Sequence, residues 1–324
     1  MSHSIVFSES GSPDVLRLAP AQVGQPAAGE VRLRHTAIGV NFIDIYQRSG
    51  LYPLPLPSGL GSEAAGVVEA VGEGVDWLRS GDRVAYAGGP LGAYSSQRLI
   101  SAQHLVKLPD EIGDETAACA MLQGMTVEYL VQRTYPVQPG QTVLWHAAAG
   151  GVGQIALQWL TAMGAKVIAT VGSAAKAEIA RALGAAHVIN YGEEDVVARV
   201  RDITGGKGVP VVYDSVGKDT FQISLSCLAP RGMMVSFGNA SGPVPALSPL
   251  ELTKHGSLFL TRPKLGDYTA SREELEASTQ ALFARLADGR IRVTPSHRYP
   301  LAEAAQAHRD LEARRTTGSV ILLP

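Results

Sequence analysis

The run Val143-Leu144-Trp145-His146-Ala147-Ala148-Ala149-Gly150-Gly151-Val152-Gly153 joins an apolar stretch to a glycine turn, and the apolar segment Gln154-Ile155-Ala156-Leu157-Gln158-Trp159-Leu160 follows it. A strand, tight turn and helix in that order let the backbone approach a pyrophosphate, which then rests on the free N–H groups at the helix start. Gly150 and Gly151 stand where that approach occurs, and Gly153 where helix must pack closely on strand. Against the pattern G-x-G-x-x-G the match is Ala148-x-Gly150-x-x-Gly153, so alanine replaces the first glycine. A glycine turn that only packs a helix is the competing reading. The place of this turn on the first strand of a βαβ series favours dinucleotide binding.

Selection between dinucleotides falls about 20 residues further on, where an Asp or Glu would grip a ribose 2′-hydroxyl. The segment there is Ala169-Thr170-Val171-Gly172-Ser173-Ala174-Ala175-Lys176, with Gly172 at the acid's position and no carboxylate in the segment. Ser173 and Lys176 follow, and Asn190-Tyr191 comes one strand later. A small residue, a hydroxyl and a cation can receive a 2′-phosphate that an acid would repel, which points to NADP(H).

Other chemistries find less support. The 2 cysteines, Cys119 and Cys227, are too few for a disulfide framework or a thiolate-rich metal site, and imply a reducing cytoplasm. The 8 histidines are scattered, with no pair four residues apart. Lys plus Arg is 28 against 30 Asp plus Glu, a formal net charge of −2, so no phosphate-neutralising surface is expected and nucleic acid is disfavoured as the main partner. The start of the chain shows no basic, apolar leader. The uncharged stretch 134–165 contains Pro136, Pro139, His146, Gln154 and Gln158, and reads as buried strand, turn and helix rather than a membrane span.

The elements that must carry these residues follow from periodicity. With 324 residues and 45% hydrophobic composition, about two domains with sizeable cores are expected. The first third reads as short strands: 30–40, with Val31, Leu33, His35 and Ala37 on one face, then 66–71, 83–86 and 94–100, separated by glycine turns. Residues 115–135 read as one or two helices broken near Gly124. Apolar runs at 142–145, 166–171, 187–190, 209–213, 233–237 and 258–261 then alternate with helix-compatible stretches at 152–163, 174–183 and 194–204. Strands that are apolar throughout and linked by helices indicate a parallel sheet covered on both faces. The fold class is therefore α/β, with a doubly wound, Rossmann-type parallel sheet of six strands. The tail offers helices at 273–287 and 301–312 and a strand at 319–323, which is expected to return to the first domain.

Across its whole length the chain resembles the zinc-free quinone oxidoreductases of the medium-chain dehydrogenase/reductase superfamily, the group that includes zeta-crystallin. The carriers are Asn41-Phe42-Ile43-Asp44-Ile45-Tyr46 followed by Tyr52-Pro53, and Gly61-Ser62-Glu63-Ala64-Ala65-Gly66-Val67-Val68 followed by Gly72-Glu73-Gly74 and Gly81-Asp82-Arg83-Val84. To these are added the glycine turn, Val212-Tyr213-Asp214-Ser215-Val216-Gly217, and Ser236-Phe237-Gly238-Asn239. The resemblance implies a GroES-like, mostly-β catalytic domain of residues 1–122 plus 262–324, with the NADPH-binding domain, 123–261, inserted in it. Zinc-dependent relatives carry a Cys ligand near Asn41, a Gly-His-Glu motif and a four-cysteine lobe. Here Asn41 and Gly61-Ser62-Glu63 stand in those places and the lobe's cysteines are missing, which favours an acceptor already activated by conjugation.

By the same resemblance, Asn41, Tyr46 and Tyr52 are similar to the family's residues near the nicotinamide, with Asp44 orienting them, and Thr126, starting the helix after Gly124, to a nicotinamide-side contact. Gly150, Gly151 and Val152 would meet the pyrophosphate, and Gly172, Ser173, Lys176 and Tyr191 the adenosine phosphate. Ser215, Gly217, Phe237, Gly238 and Asn239 would follow the fourth and fifth strands, at the edge where such sheets bind ligands. Phe259 and Thr261 after the sixth strand, and Arg314 or its neighbour Arg315 near the C-terminus, would complete the set. The implied activity is hydride transfer from NADPH to a quinone without zinc, by a cytoplasmic homodimer paired through the edge strand at 258–261. The alternatives are an NADPH-dependent reductase of 2-alkenals or enones, and an NADPH-regulated RNA-binding or structural, crystallin-like protein.

Overall fold

The computed structural model describes residues 2–324. Residues up to Met125 together with Thr269–Pro324 form one compact unit, and Thr126–Tyr268 forms a second.

The first unit opens with strands β1 (Ser2–Phe7), β2 (Arg17–Ala21) and β3 (Glu30–Val40). A short helix α1 (Phe42–Arg48) follows, then β4 (Ser58–Gly59), β5 (Glu63–Val71), β6 (Arg83–Ala87), β7 (Gln97–Ser101) and β8 (Val106–Lys107). In β3, Val31, Leu33, His35 and Ala37 are buried while Arg34 is exposed, as the period of two requires. Helix α2 (Asp114–Tyr129) runs on without interruption into a π-helical turn, Leu130–Thr134. The break expected near Gly124 is therefore absent, and Thr126 lies inside α2 rather than at a helix start. Gly124 is a packing position instead: a Cβ there would come within 2.5 Å of Leu282 Cδ1.

The second unit holds β9 (Thr142–Trp145), α3 (Gly151–Ala162), β10 (Lys166–Val171), α4 (Ala174–Ala182), β11 (His187–Asn190) and α5 (Val196–Ile203). Next come β12 (Val209–Asp214), α6 (Phe221–Cys227), β13 (Leu228–Ser236), α7 (Pro249–Lys254), β14 (Phe259–Thr261) and α8 (Leu265–Tyr268). The tail returns to the first unit as α9 (Arg272–Ala287), β15 (Pro295–Pro300), α10 (Ala304–Glu312) and β16 (Ser319–Leu323).

In the first unit β16 pairs antiparallel with β3, placing Val320 opposite Val40 and Ile321 opposite Gly39. The resulting 7-stranded sheet runs β15-β16-β3-β5-β6-β8, with β7 also on β3, and a 3-stranded sheet runs β2-β1-β4. Strand β3 thus lies between β16 and β5 and delivers its last residue, Val40, directly to the start of α1. The second unit is a 6-stranded sheet in the order β11-β10-β9-β12-β13-β14, and all its pairings are parallel. Its strands are apolar on both faces because helices cover both. Leu144, Ile168, Ile189, Val212 and Met234 pack with Val196, Val200, Phe221 and Leu225 of α5 and α6.

The order of strands reverses at β9, and sheets with such a reversal bind their ligands at the carboxyl edge there. Gly153 sets how closely α3 can approach that edge. A Cβ at this position would lie 2.6 Å from both the Ala147 and the Ala148 carbonyl oxygens, and backbone cannot yield as a flexible side chain does. Gly153→Ala is expected to cost about 1–3 kcal/mol and to lower Tm. An unchanged Tm in thermal unfolding would refute the close approach.

Candidate active site

In the first unit the site grows from the junction of β3 and α1. Asn41 caps α1, and its backbone N–H donates to Asp44 Oδ2 at 2.8 Å. Its side chain turns the other way: Nδ2 donates to Glu63 Oε2 at 2.6 Å, and Oδ1 accepts from Gln123 Nε2 at 3.1 Å. The Leu122 N–H holds the second Glu63 oxygen at 2.7 Å, and Ser319 Oγ donates to Gln123 Oε1 at 2.8 Å. Glu63 fits only because Gly39 faces it, since a Cβ on Gly39 would lie 2.2 Å from Glu63 Oε2.

Asp44 ends a second chain of hydrogen bonds. Arg48 can only donate, so His308 Nδ1 accepts from Arg48 Nη1 at 3.3 Å and the ring proton sits on Nε2. Nε2–H then donates to Tyr94 Oη at 3.0 Å, and the Tyr94 hydroxyl donates to Asp44 Oδ2 at 2.9 Å. Arg48 itself is buried and is paired at both terminal nitrogens with Glu312. Burial pushes the Asp44 carboxyl up to about 7 and the Glu63 carboxyl up to about 8, and it pulls His308 down to about 3. Asp44 Oδ1 and Ser62 Oγ are buried polar atoms without a hydrogen-bond partner.

Tyr46 and Tyr52 meet edge to face with ring centroids 5.2 Å apart, and the Tyr52 N–H donates to the Tyr46 carbonyl at 2.9 Å. The structure therefore gathers Asn41, Asp44, Tyr46 and Tyr52 around one helix. Asp44 reaches Asn41 directly. Arg314 is exposed in a left-handed turn (φ 57°) after α10, whereas Arg315 is held by Asp310.

In the second unit the carboxyl edge collects the remaining residues. Gly150 caps α3, whose first intrahelical bond is Gln154 N–H to the Gly150 carbonyl at 2.8 Å. The amides of Gly151, Val152 and Gly153 precede that bond and supply the donors of a helix N-terminus. Ala147, in the preceding turn, adopts a left-handed φ of 53°. At the end of β10, Ser173 caps α4 by accepting from the Lys176 N–H, and the Tyr191 hydroxyl lies 2.4 Å from where a Gly172 Cβ would be. Gly172, Ser173, Lys176 and Tyr191 are thus neighbours. Tyr191 is 49% exposed, which leaves a ring surface for a ligand to use.

The loops after β12 and β13 are stitched together: Ala240 N–H donates to Ser215 O at 3.1 Å, and Ser241 N–H to Val216 O at 2.8 Å. This brings Ser215, Gly217, Gly238 and Asn239 to one place, while Phe237 packs on Trp145 with centroids 5.5 Å apart. Phe259 and Thr261 lie within β14 rather than after it. Thr261 pairs with Val235 near the carboxyl ends, but Phe259 is in register with Met233 further back. Thr126 is half-buried in α2.

A buried network below this edge was not singled out from the sequence. Asp214 accepts from the Val216 and Gly217 N–H groups at 2.8 and 3.1 Å and from Ser224 Oγ at 2.8 Å. Ser224 Oγ is 3.0 Å from His146 Nε2, and His146 Nδ1 is 2.8 Å from Thr170 Oγ1. Burial lowers the His146 pKa, so the ring stays neutral and links the ends of β9, β10 and β12. Arg262 also went unremarked; it follows β14 and donates to the Ser236 carbonyl at 3.0 Å. The signal for both was present in sequence, as polar residues at strand ends within otherwise apolar runs.

Among the described residues no three His, Cys, Asp or Glu side chains are grouped so as to hold a metal ion. Both cysteines are buried, and burial pushes the Cys227 thiol up to about 12.

Comparison with known proteins agrees with this architecture. The family model described as alcohol dehydrogenase GroES-like domain matches residues 27–110, and that described as zinc-binding dehydrogenase matches 151–281. A quinone oxidoreductase of Pseudomonas aeruginosa is 54% identical over 100% of both chains. A 2-haloacrylate reductase of Burkholderia is 47% identical over 100% of this chain and 99% of its own. The crystal structure of Escherichia coli quinone oxidoreductase complexed with NADPH superposes with a TM-score of 0.98 at 51% identity, covering 99% of this chain and 100% of that one. With full-length identity at this level, the glycine turn at the head of α3 and the Asn41–Tyr52 segment beside a GroES-like sheet, this chain belongs to the quinone oxidoreductase family of the medium-chain dehydrogenase/reductase superfamily.

Proposed function

We propose that this chain is an NADPH-dependent quinone reductase that works without zinc. The observation that carries the reading is the end of β10, where Gly172, Ser173, Lys176 and Tyr191 come together and a glycine, not an acid, holds the position that would grip a ribose 2′-hydroxyl. The NADPH complex of the 51% identical relative supports it. NADPH, when bound, supplies a hydride from C4 of its nicotinamide. The α3 amides of Gly151 and Val152 receive the pyrophosphate, and Ser215, Gly217, Phe237, Gly238, Asn239, Thr261 and Thr126 line the remaining cofactor surface of the second unit. Phe259 has weaker support because its register sets it back from the carboxyl edge.

In the first unit we assign Asn41, Tyr46 and Tyr52 to the acceptor, with Asp44 orienting Asn41, and Arg314 to the cofactor. The proton comes from solvent or from a tyrosine hydroxyl within hydrogen-bond reach. Zinc takes thiolate, imidazole or carboxylate ligands, and where zinc-dependent relatives carry Cys and His this chain has the amide of Asn41 and the hydroxyl of Ser62. The buried, unreactive thiols accord with a cytoplasmic location. No helix among the described residues is long and apolar enough to cross a membrane.

The 47% identical 2-haloacrylate reductase favours a second reading, reduction of an activated alkene by the same donor. Steady-state NADPH oxidation with benzoquinone, phenanthrenequinone, 2-alkenals and 2-haloacrylate separates the two. Quinones are expected to give the higher kcat/KM; preference for the alkenes by orders of magnitude would overturn the assignment. In cofactor titrations, Lys176→Glu is expected to weaken NADPH binding relative to NADH by on the order of tenfold or more. An unchanged ratio would sink the phosphate-pocket assignment.

The edge of the parallel sheet suggests the assembly. Phe259 is 58% exposed and Leu260 39%, on a strand with a free hydrogen-bonding edge. We assign a homodimer formed by pairing of β14 with its copy. Sedimentation equilibrium is expected to give twice the chain mass, and monomer alone at micromolar concentration would refute it.

A further inference from the structure

We propose that Glu63 is a positioning residue that, with Gln123, decides which end of the Asn41 amide is turned to the acceptor. The inference rests on the reading above that Asn41 meets the acceptor.

A primary amide has nearly the same shape at its two ends, so only its partners can tell them apart. Asn41 is 6% exposed and sits between partners of opposite polarity, a carboxyl oxygen of Glu63 at 2.6 Å and an amide nitrogen of Gln123 at 3.1 Å. Each partner is fixed in turn. The Leu122 N–H requires an acceptor at Glu63 Oε1, and the Ser319 hydroxyl donates to Gln123 Oε1. With Glu63 ionised, Asn41 Nδ2 spends one hydrogen on Glu63 and keeps the second for the carbonyl oxygen of an acceptor.

The same four side chains can be bonded in the opposite sense. A proton on Glu63 Oε2 would donate to Asn41 Oδ1, Asn41 Nδ2 would donate to Gln123 Oε1, and Gln123 Nε2 would donate to Ser319 Oγ. The Ser319 hydroxyl must then turn its own hydrogen to the Cys119 sulfur beside it, and with that change each group keeps a partner and the fold tolerates the reversal. An acceptor carbonyl is not, since it would face a lone pair where it had faced a donor. The reversal needs no rotation of backbone, because a turn of each amide about its own terminal bond suffices.

Burial raises the Glu63 carboxyl to about 8, and the charge of Asp44 contributes in the same direction. The other titratable groups that feel Glu63 are Tyr86, Tyr94 and Cys119, all of which burial keeps protonated through this range. Below about 8 the proton is bound and the reversed sense is favoured; above it the donor sense is favoured. Wild-type kcat/KM for a quinone should therefore rise as pH increases through about 8.

Two variants test this beside the wild type. Glu63→Gln copies the protonated form, because its single carbonyl oxygen must serve Leu122 and its NH₂ then faces Asn41. The double variant Glu63→Gln with Gln123→Glu keeps one carboxyl in the network but locks the reversed sense. Both are expected to keep the wild-type Tm to within a few degrees and the quinone KM. Above about pH 8 both should lose roughly 100-fold in kcat relative to wild type, as for removal of one preorganised donor, the deficit should shrink as pH falls, and the limb near pH 8 should be lost. Wild-type kcat and pH profile in the double variant would overturn the proposal, as would a flat wild-type profile between about pH 6 and 10, which needs no variant to fold. Asn41→Ala separates the two levels. Wild-type kinetics in that variant would remove Asn41 from the acceptor site altogether, whereas a slow Asn41→Ala beside a fully active double variant would reject the role of Glu63 alone.

Discussion

A carboxyl group taken out of water must find its hydrogen bonds inside the protein or cost several kcal/mol, and this chain meets that condition three times where its two units carry their chemistry. Asp44 takes the Asn41 N–H and the Tyr94 hydroxyl. Glu63 takes the Leu122 N–H and the Asn41 amide. Asp214 takes the N–H groups of Val216 and Gly217 and the hydroxyls of Thr220 and Ser224. Among the described residues none of the three forms an ion pair. Each is held by directional donors, and each thereby dictates where a stretch of backbone must lie: the start of α1, the middle of α2, and the loop after β12.

Directional donors also transmit orientation, which a point charge does not. Because Arg48 cannot accept, the proton on His308 is assigned, then the Tyr94 hydroxyl, and finally the oxygen of Asp44 that meets Asn41. The exposed end of this series is the Arg48–Glu312 pair, so a contact near the surface of α10 fixes the entry angle of α1. In the second unit the neutral ring of His146 does comparable work, tying β9 and β10 to α6 through two hydroxyls. Such networks are stiff only when every member is satisfied, and the unpartnered Asp44 Oδ1 is the exception at the centre of the first one.

Much of this architecture could be read from residues alone. Strands at 30–40, 142–145, 166–171, 187–190 and 319–323 are legible because apolar runs end abruptly at glycines, charges or chain turns. The glycine turn into α3 is a local pattern and was equally plain. Gly124 misled because a glycine that makes room for Leu282 looks, in one dimension, like a glycine that ends a helix. Helix α1 has only seven residues, too few to show a periodic face, and its cap is visible only with Asp44 in place. The Glu63 network was out of reach for a different reason: its bonds join residues 22, 82 and 196 positions apart, and no spacing rule spans such distances. Glu63 showed itself only as the third member of Gly61-Ser62-Glu63.

Strand β16 carries a consequence for how the molecule comes into being. Ribosomes deliver the chain from its first residue to its last, and domains tend to fold as they emerge. Thr126–Tyr268 is one continuous stretch and can collapse while synthesis continues. The neighbourhood of Asn41 cannot: Ser319 anchors Gln123, His308 anchors Tyr94, and the end of β3 that leads to Asn41 lacks its neighbour β16 until residues 320–322 arrive. The segment made earliest therefore waits for the segment made last, and a nascent chain has a finished nucleotide fold well before its acceptor-binding half is assembled.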